Sequence, residues 1–390
     1  MSKWKKCAIG DMVTLRQGFA INAKSKHYIS KEPTSLALLR IADMKSGSKE
    51  IFVKEDIPSN FIAQPQDIVY TRTGNVGLVF RNNYGVVHNN CFTVTSNDER
   101  TLSRDFLYYL LQSKYFFEKA NSLARGAAQP DLPHSLFNSI EISYPELDCQ
   151  QHIAAILSRY DSLIENYQKQ IKLLEEAAQR LYKEWFVDLH FPGHENTKIV
   201  DGVPEGWEKK SVSQLGDYLN GFAFKPSDWQ ETGKPIIKIK EMGNGVSGET
   251  PRNNGERVPV KYLVKAGDLL FSWSATLMVI VWTGEEGWLN QHLFKVTPVQ
   301  GIGREFLLQS ISNAISEFSN LTTGSTMKHI QRNKLDQVYV NTPSSIVMEK
   351  YNEIAEPIRE QILNMSSQIR HLTEARDRLL PKLMSGEIAV

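Results

Sequence analysis

The sequence repeats itself: a series of short motifs recurs in the same order about 200 residues further along this 390-residue chain. The offset between matched motifs stays between 198 and 203 residues. Chance does not supply an ordered series, so the chain contains two copies of one structural unit and at least two domains. The matches include Gly18-Phe19-Ala20 with Gly221-Phe222-Ala223, residues 39–44 with 237–242, 67–69 with 268–270, 91–95 with 293–297, 104–107 with 304–307, and 140–145 with 338–343.

Each copy has the composition of a β-rich domain with a few helices. Short β-branched and aromatic runs, such as 68–70 and 338–340, are bounded by Gly, Asn and Pro, which is typical of strands. Residues 104–124 instead place Leu107, Leu110 and Leu111 at helical spacing. We therefore expect an α+β chain with this domain present twice.

A heptad pattern follows each copy and predicts two long helices. The first covers about 150–186, would be roughly 50 Å long, and its register returns 198 residues later. Two residues depart from the pattern: Arg376 occupies an a position, and Pro357 predicts that the second helix starts there, because proline cannot donate the interior hydrogen bond. Pro381 favours an end or a kink. The predicted seam consists of Leu157, Tyr160, Ile164, Tyr167, Ile171, Leu174, Leu181, Ile358, Ile362, Met365, Ile369, Leu372 and Leu379.

Apolar seams of this length need a partner in water. We expect the two helices to form an antiparallel coiled coil with each other; the alternative is that each helix packs on its own domain. The predicted fold class is α+β, with two β-rich domains separated by these helices. The predicted boundaries are 1–148 for the first domain, 149–190 for the central helix, 191–345 for the second domain and 346–390 for the C-terminal helix.

Charge and cysteine content favour a cytoplasmic protein without selecting a partner. The net charge is +1, although the first 131 residues carry about six more basic than acidic residues, which is compatible with DNA binding and equally with an ordinary solvated surface. Cys7, Cys91 and Cys149 predict neither a disulfide framework nor a metal site. No signal peptide follows the N-terminus, and the longest apolar run, 269–282, is too short to span a bilayer.

Signatures of catalysis are missing from the sequence. There is no phosphate-binding Gly-x-x-x-x-Gly-Lys-Ser/Thr loop, no Pro-Pro pair for an adenine-methyltransferase motif, and no metal-ligand spacing among the histidines. Pro130-Asp131 could open a nuclease motif, but no Glu-x-Lys follows at a usable distance. We therefore expect no catalytic residues and no metal site in this chain.

Two similar β-rich domains, each followed by a long amphipathic helix, resemble the specificity subunit of type I restriction–modification systems over essentially the whole chain. The motifs that carry the resemblance are 18–20, 67–74, 176–181 and 324–330. The resemblance implies that each domain is a target recognition domain for one half of a bipartite DNA sequence. It also implies that the helices set the separation of the halves and hold two methyltransferase subunits, alongside motor-nuclease (restriction) subunits. S-adenosylmethionine, ATP and magnesium would then belong to those partners.

Polar loop residues beside glycine are the predicted DNA contacts, because phosphates and base edges are read by such side chains. Trp273 replaces Arg72 in the second copy, and Gln291-His292 replaces Asn89-Asn90, which predicts two different half-sites and an asymmetric target. The predicted contacts are Arg72, Thr73, Asn75, Arg125 and Gln129 in the first copy, and Ser272, Trp273, Ser274, Thr323, Ser325, Lys328 and His329 in the second.

Two other functions remain open from the sequence. One is a stand-alone DNA nuclease or modification enzyme with an unrecognised active site. The other is a coiled-coil adaptor that binds proteins but not DNA. The lack of catalytic motifs counts against the first, and the two elaborate β-rich copies count against the second.

Overall fold

The computed structural model describes residues 4–126, 128–320 and 334–390. The chain divides into two compact units. Unit 1 consists of residues 1–162 and 372–390, and unit 2 of residues 163–371. Each unit therefore takes in segments of both long helices.

The first copy supplies eleven strands and four helices among the described residues. The strands are β1 Lys5–Ala8, β2 Val13–Gln17, β3 Ile29–Ser30, β4 Leu36–Leu39, β5 Phe52–Val53, β6 Ile62–Ala63, β7 Ile68–Thr71, β8 Val79–Phe80, β9 Gly85–Val87, β10 Cys91–Ser96 and β11 Glu141–Tyr144. The helices are α1 Ile41–Ser46, α2 Arg104–Gln112, α3 Lys114–Leu123 and α4 His134–Asn138.

The long helix α5, Leu147–Tyr182, ends in a π-helical turn over Lys183–Val187 and leads into the second copy. The strands that follow are β12 Ile199–Val200, β13 Val203–Pro204, β14 Glu208–Ser211, β15 Gly216–Asn220, β16 Lys234–Ile237, β17 Arg252–Asn253, β18 Leu263–Val264, β19 Leu269–Ser272, β20 Met278–Val281, β21 Gly287–Leu289, β22 Leu293–Pro298 and β23 Tyr339–Thr342. The helices are α6 Ile239–Asn244, α7 Arg304–Asn320 and the long α8 Ser345–Ser385.

The two copies share their sheet topology. A four-stranded antiparallel sheet has the order β2-β10-β7-β8 in the first copy and β15-β22-β19-β20 in the second. A second sheet contains one parallel pair in each copy, β4 with β9 and β16 with β21. The register also repeats, since Cys91 lies opposite Thr71 where Leu293 lies opposite Ser272. The predicted duplication is therefore a duplication of fold.

The core of unit 1 is aromatic and includes both long helices. Tyr70, Phe92 and Phe137 are fully buried, and the Tyr70 and Phe137 ring centroids lie 5.1 Å apart. Burying one such side chain stabilises the fold by about 1.5–3 kcal/mol. Leu157 of α5 and Leu383 of α8 belong to the same cluster. The last turns of α8 thus contribute to the core of unit 1.

The core of unit 2 is built in the same way with the other ends of the helices. Tyr182 and Phe186 follow from α5, Tyr351 comes from α8, and all three join Phe271 and Phe306 of the second copy in one cluster. The Phe186 and Tyr351 ring centroids are 4.8 Å apart.

The two long helices pair antiparallel within each unit. In unit 1 the Arg376 Nη1 atom lies 2.8 Å from Asp161 Oδ1, and in unit 2 the Trp185 ring lies 5.9 Å from that of Tyr351. Leu157 also shares a cluster with Leu383 in unit 1, and Ile171 and Ser366 line one cavity in unit 2. In each unit, residue numbers therefore rise along α5 as they fall along α8. Every predicted seam residue is buried or partly buried, whereas Leu173, outside the seam, is 64% exposed. Both helices also pack on the globular cores, so the pairing and its alternative coexist.

The expected start of the second helix at Pro357 is wrong, because α8 runs from Ser345 through Pro357 and Pro381. Pro357 removes one backbone donor, but its ring is exposed. Ala355 and Ile362 on either side are buried, and their packing keeps the helix continuous despite the missing hydrogen bond. Among the described residues, no helix is both long and apolar enough to cross a membrane.

Candidate nucleic-acid interface

The repeated Gly-Phe-Ala motif fixes a loop against the turn before a central strand in each copy. The Gly18 amide donates to the Cys91 carbonyl at 3.1 Å, and the Gly221 amide to the Leu293 carbonyl at 3.1 Å. A Cβ atom on Gly18 would collide with the His88 carbonyl, and one on Gly221 with that of Asn290. Glycine is therefore required by close backbone approach at both sites.

Four loops of unit 1 meet beside this motif and form what we term loop cluster 1. Its residues are 17–20, 72–75 and 88–90, together with 125 and 128–131 from the loop between α3 and α4. The amides of Arg72 and Thr73 both donate to the Asn90 carbonyl, at 2.8 and 3.2 Å. Arg125 and Asp131 exchange two backbone hydrogen bonds of 2.8 Å. The cluster brings all five residues predicted in the first copy to one place.

Arg72 is held by two residues that sequence reasoning missed. Its Nε and Nη2 atoms donate to the Asp131 carboxylate at 3.1 and 2.7 Å, and its Nη1 atom donates to Gln17 Oε1 at 3.0 Å. Thr73 Oγ1 donates to the same carboxylate at 2.6 Å. Although burial alone would raise the pKa of Asp131, the hydrogen bonds from Arg72 and Thr73 lower it. The Arg72 charge is therefore positioned and compensated.

The remaining predicted side chains of the first copy face solvent. Asn75, Arg125 and Gln129 are all exposed in loop cluster 1. An amide and a guanidinium in solvent can hydrogen-bond to base edges or phosphates. These three are the exposed polar side chains of the cluster.

The corresponding loops of unit 2, together with residues 237–238 at their edge, form loop cluster 2 (residues 220–223, 237–238, 272–275 and 290–292). Ser272 and Ser274 are buried there, and the Ser272 hydroxyl donates to the Ser274 carbonyl at 3.2 Å. Ser274 Oγ lies 3.4 Å from His292 Nδ1, and the Trp273 ring lies 5.9 Å from the His292 ring. The two serines therefore shape the loop rather than present their hydroxyls to a ligand. The predicted contacts Thr323, Ser325, Lys328 and His329 lie outside the described residues.

A basic residue was missed at the edge of loop cluster 2. Lys238 Nζ lies 4.5 Å above the ring of Trp229, which is 48% exposed. The next residue back, Ile237, accepts a hydrogen bond of 3.1 Å from the Asn290 amide, which ties Lys238 to the cluster. The sequence carried a signal, because Arg40 occupies the matching place in the first copy. There, however, Arg40 is paired with Asp43.

Metal ligands do not gather in the part of the chain that the structure describes. Within residues 4–126, 128–320 and 334–390 there is no group of three or more His, Cys, Asp and Glu side chains that could hold a metal ion.

Comparisons with known proteins agree with this architecture. A sequence model of the family described as "Type I restriction modification DNA specificity domain" matches residues 1–176 and 204–358. The chain is 29% identical over 308 residues to the type I restriction enzyme MjaIX specificity subunit of Methanocaldococcus jannaschii, covering 73% of this chain and 69% of that protein. It is 23% identical to the HindI specificity subunit of Haemophilus influenzae, over the full length of both chains.

The crystal structure of a type I restriction–modification S subunit from M. genitalium has the same fold. It aligns with a TM-score of 0.59 at 17% identity and covers 98% of this chain and 96% of its own. The predicted α+β fold with two repeated domains and long helices is thereby confirmed, as is the family resemblance. The family match covers both copies in sequence, so this chain belongs to the family of type I restriction–modification DNA specificity domains.

Proposed function

We propose that this chain is the DNA-reading specificity subunit of a type I restriction–modification complex, and that each unit reads one half of a bipartite target. The observation that carries the proposal is the pair of loop clusters. They have the same backbone framework, set by Gly18 and Gly221, but different side chains. A constant scaffold with variable loops is what sequence recognition requires.

Loop cluster 1 offers Asn75, Arg125 and Gln129 for base edges and phosphates. Asn and Gln pair bidentately with adenine, and Arg with guanine or with phosphate. Arg72 is held in one orientation by Asp131, so its role is to position the loop until a ligand displaces the carboxylate.

Loop cluster 2 offers a different set of groups, so the target is asymmetric. His292 and Trp273 stand where Asn90 and Arg72 stand in the first cluster. An imidazole and an indole present fewer donors than an amide and a guanidinium. Lys238, over the exposed Trp229, adds a cation that can contact a phosphate.

The long helices are the proposed docking sites for the catalytic partners. Leu163 and Leu173 of α5 lie outside the seam and are 44% and 64% exposed, which suits a protein contact. We propose two methyltransferase subunits and two restriction subunits as partners. S-adenosylmethionine, ATP and magnesium would be bound by those partners, and this chain would be non-catalytic. The alternative of a stand-alone nuclease or modification enzyme has no support, because the relatives named above are specificity subunits.

Co-expression with an adenine methyltransferase partner tests the proposal. The chromosomal DNA of the host is sequenced for methylated adenine, with and without this chain. Methylation at a two-part motif that depends on the chain is expected. Modification or cleavage by the purified chain alone would instead indicate an enzyme, and methylation that ignores the chain would indicate an adaptor.

A further inference from the structure

Each unit buries one charged centre where the long helices meet its globular core. Charge centre 1, in unit 1, is Asp161 of α5, which is 8% exposed. Its carboxylate accepts hydrogen bonds from Tyr109 at 2.6 Å, Arg81 at 3.2 Å and Arg376 at 2.8 Å. The donor from α8 is the same Arg376 that breaks the apolar pattern of the seam.

In charge centre 2, which lies in unit 2, the buried residue on the long helix is a cation instead of an anion. Arg359 of α8 is 5% exposed and donates to Glu305 of α7 at 2.7 and 3.2 Å. Glu305, which is fully buried, also accepts a hydrogen bond of 2.8 Å from Gln309. A buried ion pair contributes little net stability, but it strongly penalises arrangements that leave one charge alone.

The repeat relates the two centres directly. The 198-residue offset that aligns α5 with α8 puts Asp161 and Arg359 at equivalent positions, and likewise Ala178 and Arg376. Asp161 contacts Arg376 in unit 1. From the same offset we infer that Ala178 lies opposite Arg359 in unit 2. Glu175 and Gln179, which flank Ala178, line one cavity of about 550 Å³ together with Arg359.

We propose that Asp161, Ala178, Arg359 and Arg376 form a charge code that directs α5 to pair with α8 and rejects pairing between like helices of two copies of the chain. Asp161 and Arg376 form an observed pair of opposite charges. The repeat places the small neutral Ala178 opposite the buried Arg359, beside the acidic Glu175 of α5. If α5 paired with α5 of a second copy, Asp161 would face Ala178 and lose one donor. If α8 paired with α8, Arg376 would face Arg359, and two cations would share a site where Ala178 is fully buried.

A charge code of this kind would prevent mispairing of the two similar helices between two copies of the chain. The two helices share a register, so each could dock on the other's unit in a second molecule and yield an intertwined dimer. Buried polar residues at single seam positions are a known means of fixing which helices pair. The choice of partner helix is made when the chain folds and does not depend on DNA recognition.

The experiment uses the full chain and compares Ala178→Lys with Ala178→Glu, which have the same number of non-hydrogen atoms and opposite charges. Melting temperatures are measured by calorimetry. Because the added ammonium would face Arg359 whereas the added carboxylate would pair with it, Ala178→Lys is expected to melt at least about 5 °C below Ala178→Glu, given roughly 2–4 °C per kcal/mol for units of this size. Equal melting temperatures would show that volume alone excludes other side chains, and would overturn the code.

A second variant exchanges the two seam residues, Ala178→Arg with Arg376→Ala. When α5 pairs with α5 of a second copy, the introduced guanidinium of one copy lies against Asp161 of the other. Refolding from denaturant at rising protein concentration is therefore expected to yield dimers. Native mass spectrometry distinguishes them from monomers of 44.3 kDa. The control is Ser162→Glu with Glu360→Ser, an exchange at adjacent exposed positions, which should stay monomeric like the unaltered chain. An exchange variant that refolds wholly as monomer would contradict the proposal; if it fails to refold, the melting comparison decides.

Discussion

Arg72 donates two parallel hydrogen bonds to the carboxylate of Asp131, a residue 59 positions away in sequence. This pair ties the loop after β7 to the loop before α4, and both loops belong to loop cluster 1. A bidentate arginine–carboxylate pair fixes orientation as well as distance. The geometry of the proposed DNA-reading surface therefore depends on Asp131, which does not itself need to touch DNA.

Replacing this carboxylate should make the stability of the chain respond differently to pH. Because the pKa of Asp131 is below its ordinary 3.8, the charged carboxylate stabilises the folded state at neutral pH. That contribution is lost as the pH falls through the folded pKa. Asp131→Asn is therefore expected to lower stability by about 1 kcal/mol at pH 7. The difference from the unaltered chain should shrink below about pH 4 in denaturation at each pH, whereas a constant difference would contradict this assignment.

The glycines of the repeated motif should tolerate no side chain. Gly18→Ala and Gly221→Ala would each push a methyl group into a backbone carbonyl, which we expect to cost about 2 kcal/mol. Gly248 has open space around it and is the matched control, since Gly248→Ala meets no atom within 4 Å. Chemical denaturation measures all three. An alanine tolerated at Gly18 would show that the loop does not need this close approach.

The buried pair of Glu305 and Arg359 should be costly to break and cheap to replace as a whole. Both side chains are almost inaccessible, at 0% and 5%. Glu305→Gln is expected to cost about 3–5 kcal/mol because it leaves Arg359 without its counter-ion. The double variant Glu305→Leu with Arg359→Met is expected to be much closer to the unaltered chain. A double-mutant cycle measures the coupling, and additive losses would mean that the two residues act separately.

Each loop cluster should contribute separately to DNA binding. Arg125→Ala in loop cluster 1 and Lys238→Ala in loop cluster 2 each remove one cation, so each should reduce the salt dependence of binding by about one phosphate contact. Arg100→Ala, a change at a 90% exposed residue outside both loop clusters and both long helices, serves as the control. Titration of labelled target DNA with the assembled complex at several salt concentrations gives the slopes. If Arg100→Ala lowers the slope equally, the contacts are not localised in the clusters.

The duplication could be predicted from the sequence, because close backbone contacts require motifs such as Gly18-Phe19-Ala20 and these motifs therefore recur in both copies. Heptad spacing was also sufficient to predict the two long helices. The start expected at Pro357 was wrong, since local propensity cannot weigh the burial of Ala355 and Ile362 on either side. No local pattern pairs Arg376 with Asp161, which lie 215 positions apart. The same holds for Asp131, whose partner is set by tertiary folding alone.

The central proposal is that each unit reads one half of a bipartite target and that the length of the two long helices determines the number of unread bases between the halves. The most direct test inserts one heptad into both helices, within 165–171 and 363–369, and sequences methylated adenines after co-expression with the methyltransferase partner. Seven added helical residues extend each helix by about 10 Å, or roughly three base pairs. We expect the same two half-motifs with a longer gap of unread bases. An active variant that methylates with the original gap, or a target without a gap, would contradict it.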